Sequence, residues 1–250
     1  MIKLILAGCN GKMGGVITSL CANDDDVRII AGIDINTEKK GGFDVYSNPA
    51  DISETADVII DFSHPDMFDR ILDYAVNTNT PVIFATTGLS DEQKNRMKEA
   101  SQKAPVFFSA NMSLGVNLLT ELVCAAARVL GDSFDIELIE KHHNRKIDAP
   151  SGTALAIADA VNEALSEKRE YVYDRHSVRK KRAKSELGIH TVRGGTIVGE
   201  HEVIFAGLDE IIEIKHTATS RDLFATGAIK AAKYMAGKPA GFYSMRDLLK

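Results

Sequence analysis

Over the first third of the chain, short apolar runs alternate with polar stretches that have helical spacing. "KLILAG" (3–8), "VRIIAGID" (27–34), "DVIIDFS" (57–63), "PVIFATTG" (81–88) and "PVFFSAN" (105–111) each have a strand's length. Several are rich in Val, Ile or Phe and close on Gly, Asp, Ser or Asn, as strands do at turns. Their apolarity is nearly continuous, which suits parallel strands covered on both faces. Residues 12–22, 65–77 and 90–103 lie between them and pattern as helices. The last of these opens "SDEQ", a capping box with Ser90 at the N-cap and Gln93 three residues on. Strand alternating with helix predicts a doubly wound parallel sheet.

The rhythm changes after residue 112. "SLGVNLLTELVCAAARVLG" (113–131) reads as one long buried helix ended by Gly131. "FDIELIEKHH" reads as a strand and "SGTALAIADAVNEAL" as a helix. "GIHTVRG", "TIVGEHEVIFAG" and "DEIIEIKHTA" alternate more strictly and turn at Gly or Asp, as antiparallel or mixed strands do. A final helix, 221–237, ends at Gly237 and Pro239. The fold class is therefore α/β: a first doubly wound sheet, then a smaller α+β region with an open mixed sheet.

Composition narrows the function. Hydrophobic residues make up 44% of 250, enough for a packed core. A net charge of −5 argues against nucleic acid or a membrane surface as partner. The basic segment 174–184, "DRHSVRKKRAK", lacks the interleaved aromatics of a single-strand binder and reads as a solvated loop. Cys9, Cys21 and Cys124 are an odd count without CxxC spacing, against both a disulfide framework and a thiolate metal site. The first apolar run is too short to span a bilayer, and a cytoplasmic location is expected.

"LAGCNGKMGG" follows the first strand and opens the first helix. Gly8, Gly11 and Gly14 are spaced GxxGxxG, with Asn10 in place of the middle glycine of the commoner GxGxxG. Such a loop lets backbone approach a pyrophosphate at a helix N-terminus, where free N–H groups and the dipole favour an anion. Asp34 ends the second strand 20 residues after Gly14, the place of a carboxylate that meets ribose hydroxyls. Together these predict a dinucleotide site in a Rossmann-type sheet. A carboxylate there also repels a 2′-phosphate, and the next residue is Ile35 rather than arginine. NADH is thus expected ahead of NADPH, although Lys12, Lys39 and Lys40 lie close in sequence.

The densest chemistry is "EKHHNRKIDAPSGTA" (140–154). Free histidine titrates near neutrality, so His142 and His143 suit proton traffic. Lys146 is a cation for a substrate carboxylate or a proton donor. Ser151, Gly152 and Thr153 open a helix and offer an anion site. The stretch reads as a pocket for a small, carboxylated, electron-deficient substrate. Adjacent histidines on a strand point to opposite faces, so no metal site is expected. His201 and His216 could approach this pocket, but a packing or solvent-facing role is the first reading for both. Arg221 reads either as a carboxylate contact or as an ion-pair partner.

This stretch resembles the signature E-x-H-H-x-x-K-x-D-A-P-S-G-T-A of the 4-hydroxy-tetrahydrodipicolinate reductase (dihydrodipicolinate reductase) family. The likeness runs the length of the chain, through "GCNGKMG", "DFSHP", "ATTG", "SANMSLGVN", "TVRGGTIVGEHEVIFAG" and "HTATSRDLFATGA". It implies NAD(P)H-dependent reduction of a cyclic dicarboxylate to tetrahydrodipicolinate, on the route to diaminopimelate and lysine, without a metal. It implies that His142 and Lys146 handle protons and that His143, Gly152 and Thr153 contact substrate, beside Ser151. Nucleotide contacts would come from Gly8, Cys9, Asn10, Gly11, Lys12 and Met13, and from Asp34. Further contacts would come from Ala85, Thr86 and Thr87, and from Ser109, Ala110, Asn111 and Met112. Ala85 stands where the family often has glycine, adding a methyl near the nucleotide.

The expected division is 1–112 with 222–250 as the dinucleotide-binding domain, and 113–221 as the substrate-binding and tetramerisation domain. A homotetramer through the second sheet follows from the resemblance. Two other readings compete: another nicotinamide-dependent dehydrogenase, and a non-catalytic dinucleotide-binding sensor. The Pro-Ser-Gly-Thr turn after His-His-x-x-Lys disfavours the first. A sensor has no need of His142 and Lys146 together.

Overall fold

A computed structural model describes residues 1–131 and 133–250. The chain divides into two units, Met1–Leu114 with Asp222–Lys250, and Gly115–Arg221.

The first unit contains strands β1 (Ile2–Ala7), β2 (Val27–Ile33), β3 (Asp44–Tyr46), β4 (Val58–Asp61), β5 (Val82–Phe84) and β6 (Pro105–Phe108). Helices α1 (Lys12–Cys21), α2 (Phe68–Thr78) and α3 (Asp91–Ala100) connect them. The second unit holds most of α4 (Leu114–Leu130), then β7 (Asp135–His142), α5 (Gly152–Ala164), β8 (Glu170–Val172), β9 (Glu186–Arg193), β10 (Gly199–Ala206) and β11 (Ile211–Ala218). The chain then returns to the first unit with α6 (Asp222–Met235), β12 (Gly241–Tyr243) and α7 (Met245–Leu248).

The first sheet runs β12-β6-β5-β4-β1-β2-β3, and every pairing is parallel. Its central strands are largely apolar because both faces are covered. Leu4, Leu6, Ile60, Ile83 and Phe107 pack with Ile17 of α1 and Ala228 and Ala232 of α6. Ile5, Ile59, Phe84 and Val106 pack with Phe68, Ile71 and Leu72 of α2 and Met97 of α3. Strand order reverses between β1 and β4, so the loops after the central strands gather where such sheets bind ligands. The Ser90–Gln93 capping box opens α3 as its sequence indicates. The helix read over 65–77 differs at its start: a 3-10 turn, Pro65–Met67, capped by His64, precedes α2. β3, β8 and β12 have three residues each, too short to show a period.

The second sheet runs β11-β10-β7-β9-β8 and is mixed: β10 pairs antiparallel with β7 and β11, while β7, β9 and β8 are parallel. Leu119 and Val123 of α4 and Ile157 and Val161 of α5 cover one face, against Ile136, Leu138, Ile189, Val203 and Phe205. The 174–184 segment is a largely exposed loop, as its charge suggests, but two of its arginines turn inward. Arg182 is only 17% exposed; it reaches Asp135 at 2.7 Å and Glu137 at 2.8 Å and donates to the carbonyls of Ile136 and Glu186. Arg175 reaches the buried Glu186 at 2.7 Å.

Candidate active site

In the first unit the glycine loop joins β1 to α1. Gly8 has φ +75, and a methyl there would lie 2.6 Å from the Phe62 carbonyl oxygen. Gly11 is the N-cap of α1, and no side chain caps the helix. That leaves the helix start for a ligand anion. Cys9 turns inward, 5% exposed, with burial pushing its thiol up to about 11. Only its backbone is therefore available to a ligand.

Asp34 lies beside this loop. Its carboxylate accepts the Asn10 N–H at 3.0 Å and the Asn36 N–H at 3.0 Å. The Asn10 amide donates to the carbonyls of Asn36, at 2.6 Å, and Glu38, at 2.9 Å. Asn10 thus does a task no glycine can: it fastens the 36–38 loop to the glycine loop. Lys39 pairs with Asp44 and Lys40 with Glu38, while Lys12 is exposed.

A cavity of about 290 Å³ brings together Met13, Ala85, Thr86, Thr87, Ala110 and Met112. Phe62, Ser63 and Phe224 complete it; Phe62 and Ser63 belong to the "DFSHP" segment, whose resemblance implies a nucleotide-facing place, and Phe224 alone lies outside the expected segments. Beneath it lies Asp61, fully buried, accepting the Ser63 N–H at 2.9 Å, the Ser63 hydroxyl at 2.5 Å and the Thr86 hydroxyl at 2.7 Å. Burial raises the Asp61 carboxyl above its ordinary value, against the opposing effect of those hydrogen bonds. Ser109 and Asn111 bond one another locally, with the Ser109 hydroxyl donating to the Asn111 carbonyl at 2.7 Å. A larger open hollow of about 970 Å³ on this unit is lined by Lys3, Cys21, Arg28 and Phe43 and holds none of the motif residues.

In the second unit the alternation of β7 sets the site. Ile136, Leu138 and Glu140 are buried toward α4 and α5, and His142 follows two residues on, on the same face. Glu140 is fully buried, and its carboxylate receives five hydrogen bonds from four residues. They are His142 Nδ1 at 2.5 Å, Arg193 at 2.9 and 2.7 Å, the Ser151 N–H at 3.1 Å and the Thr191 hydroxyl at 3.2 Å. Burial opposes its charge, but Arg193, His142 and Ser151 more than offset that and hold the carboxyl below its ordinary value.

Ser151 caps α5, its hydroxyl accepting the Ala154 N–H at 3.1 Å and lying 3.2 Å from His201 Nε2. Ser151 is buried and both its polar groups are used internally. His201 is buried and stands edge-on to His142 with ring centroids 5.3 Å apart, so it packs into the site that the sequence allowed it to approach. Burial, reinforced by the nearby His142, pulls it down to about 4, so it is neutral near pH 7. Lys146 pairs with Asp148 at 2.8 Å. His143 faces another way, its Nε2 being 3.1 Å from Arg221. Its pKa is lowered by desolvation and by Arg221, Arg145, His142 and Lys146. Gly152 has open space where a side chain would stand, and Thr153 follows it in the first turn of α5.

Comparison with known proteins bears on both units. Residues 2–112 match the family model described as Dihydrodipicolinate reductase, N-terminus, and residues 115–249 match its C-terminus counterpart. A 4-hydroxy-tetrahydrodipicolinate reductase from Caldanaerobacter subterraneus subsp. tengcongensis is 53% identical over 250 residues, covering 100% of this chain and 99% of that protein. One from Staphylococcus aureus is 45% identical over 247 residues, covering 99% and 100%. Among solved structures, the dipicolinate-bound dihydrodipicolinate reductase from Paenisporosarcina sp. TG-14 matches with TM-score 0.84 at 22% identity, over 98% of this chain and 97% of that one. An aspartate dehydrogenase from Thermotoga maritima matches with TM-score 0.51 at 11% identity, over 96% and 98%, a likeness of fold alone.

Proposed function

The chain belongs to the dihydrodipicolinate reductase family, and we infer that it reduces 4-hydroxy-tetrahydrodipicolinate in the biosynthesis of diaminopimelate and lysine. The relatives that carry this name span essentially the whole chain. The competing readings, a different dehydrogenase or a sensor, have no comparable support.

The first unit suits a nicotinamide dinucleotide. The start of α1 has no side-chain cap, Gly8 lies against backbone, and the Asp34 carboxylate stands at the end of β2. When bound, that cofactor supplies the hydride. Around it, backbone from Gly8 to Met13 would hold the pyrophosphate, Asp34 the adenosine ribose, and the loops Ala85–Thr87 and Ser109–Met112 the nicotinamide side. NADH is the preferred form in this proposal. Asp34 repels a 2′-phosphate, and Lys39 and Lys40 already have acidic partners.

In the second unit His142 delivers the proton and Lys146 is the second proton donor and carboxylate partner. Gly152, Thr153 and His143 would hold the substrate, while Ser151 serves as the cap that fixes the helix start. The observation that carries this reading is that a carboxylate already sits there. The hydrogen bond from Lys146 holds the Asp148 carboxyl below its ordinary value, assisted by the Gly152 N–H. A dicarboxylate substrate would take up the same donors, with charge met by groups already in place. The solved relative bound dipicolinate, a dicarboxylate of this kind.

The proposal extends to a cytoplasmic homotetramer joined through the open face of the second sheet. Exposed Val192 and Ile211 on that face support it. No helix among the described residues is long and apolar enough to cross a membrane.

The test is oxidation of NADH, then NADPH, by purified protein supplied with enzymatically generated substrate. Substrate-dependent oxidation is expected, and Lys146→Ala should lower kcat about 100-fold or more while dinucleotide affinity is kept. A protein that binds dinucleotide yet oxidises neither cofactor would overturn the reading.

A further inference from the structure

Glu140 has been given no role beyond its place in the motif, yet it has the densest set of partners in the second unit's polar cluster. A carboxylate is acceptor-only. At 2.5 Å from Glu140 Oε2, His142 Nδ1 must therefore carry the proton. The other ring nitrogen, Nε2, has no protein partner among the described residues and passes over the Cα of Gly199, where a methyl would stand 3.1 Å from it. The opposite side of the same carboxylate receives the Ser151 N–H, at the start of α5. Arg193 binds both carboxylate oxygens and also donates to the Asp148 carbonyl at 2.6 Å, in the loop that carries Lys146. One buried ion pair thus touches the end of β7, the 143–150 loop and the first turn of α5.

We propose that Glu140, with Arg193 as its anchor, is the positioning residue of this site: it fixes the Nδ1–H tautomer of His142, leaves Nε2 for the substrate, and holds the Lys146 loop and the α5 start in register with it. This rests on His142 being the proton donor. The other charged or titratable groups around His142 are His201 on β10, Arg193 on β9, and His143, Arg145 and Lys146 on the following loop. Among them only Glu140 offers an acceptor to Nδ1. A buried carboxylate behind a proton-transferring imidazole acts in the same way in other enzymes, through tautomer and orientation, without itself taking up the proton.

Glu140→Gln keeps the side chain's shape and removes its obligation to accept. We expect kcat to fall about 10- to 100-fold while KM for both substrates stays within about twofold. In the resting protein, ¹⁵N spectra of the imidazoles should show His142 as the Nδ1–H tautomer in the wild type and as a mixture in the variant. Arg193→Lys, which keeps the charge but loses the two-armed grip, should loosen the same tautomer and lower kcat less. It provides the decision if Glu140→Gln does not fold. An unchanged tautomer in both variants would overturn the proposal, as would losses confined to melting temperature or to KM. The two readings fail separately. A wild type with no turnover defeats His142 as proton donor, whereas the spectra judge Glu140's hold on His142 without any substrate.

Discussion

Asn10 donates its backbone N–H to the Asp34 carboxylate at 3.0 Å, and its side chain reaches past Asp34 to the carbonyls of Asn36 and Glu38. The glycine loop and the loop after β2 therefore move as one piece, with the acid at their junction. Asp34→Ala should raise the NADPH-to-NADH ratio of kcat/KM about tenfold, since removing one repulsive charge near a phosphate is worth on the order of 1.4 kcal/mol. Asn10→Ala should leave that ratio alone and raise KM for both cofactors, because the loop is loosened while the charge stays. Steady-state kinetics with the two cofactors separate these outcomes.

Gly8 meets two constraints, a φ of +75 and a backbone oxygen 2.6 Å from where a methyl would be. Gly42 meets only the first, with φ +78 and nothing within 4 Å. Gly8→Ala should cost about 3 kcal/mol, combining backbone strain with forced movement of Phe62. Gly42→Ala should cost about 1 kcal/mol. Denaturant titration of the two variants isolates the contribution of close approach.

Legibility in the sequence followed the length and periodicity of each signal. β1, β2, β4, β5 and β6 show in the sequence because burial on both faces makes them continuously apolar. β3, β8 and β12 do not: they are as short as β5 but only partly buried, so they lack its unbroken apolar run. The motif residues of the second unit are local in sequence, so the candidate site was visible as a stretch. Its support was only partly so. Glu140 continues the inward alternation of Ile136 and Leu138, and His201 that of Val203 and Phe205. That period places both on the covered side. Arg182 gave no such signal: its partners Asp135 and Glu137 lie 47 and 45 residues upstream. Phe224 reaches the first unit's cavity only because α6 returns to that sheet.

Glu137 makes the second unit sensitive to acid. Burial opposes its charge, but hydrogen bonds from Arg182 and His190 prevail and hold the carboxyl below its ordinary 4.5. The folded state thus binds fewer protons than the unfolded one. This stabilisation is complete above the unfolded value and is lost as pH falls through the folded value. The difference in melting temperature between wild type and Glu137→Gln should be constant near neutrality and shrink from about pH 5 downward. Arg182→Ala should cost about 2–3 kcal/mol, less than a fully buried pair because Arg182 keeps 17% exposure.

Asp61 has the opposite sign. It is fully buried, and burial raises its carboxyl despite three hydrogen bonds from Ser63 and Thr86. Its charged form is thus a cost to the folded state: the favourable proton linkage is present below the unfolded value, and is lost as pH rises through the folded one. The residue is useful for its acceptors, which fix Ser63 and Thr86 at the cavity wall. Asp61→Asn retains an oxygen for the two Ser63 donors, and its amide finds an acceptor in the Thr86 hydroxyl, which can rotate. It should fold as stably as the wild type at neutral pH and bind the dinucleotide within a few-fold. Asp61→Ala leaves three donors facing an emptied site and should lose about 2–3 kcal/mol together with most cofactor affinity. Calorimetric titration with NADH, run beside thermal melts of both variants, decides it. If Asp61→Asn loses affinity as fully as Asp61→Ala, the charge itself, and not the acceptor geometry, is what the cofactor site requires.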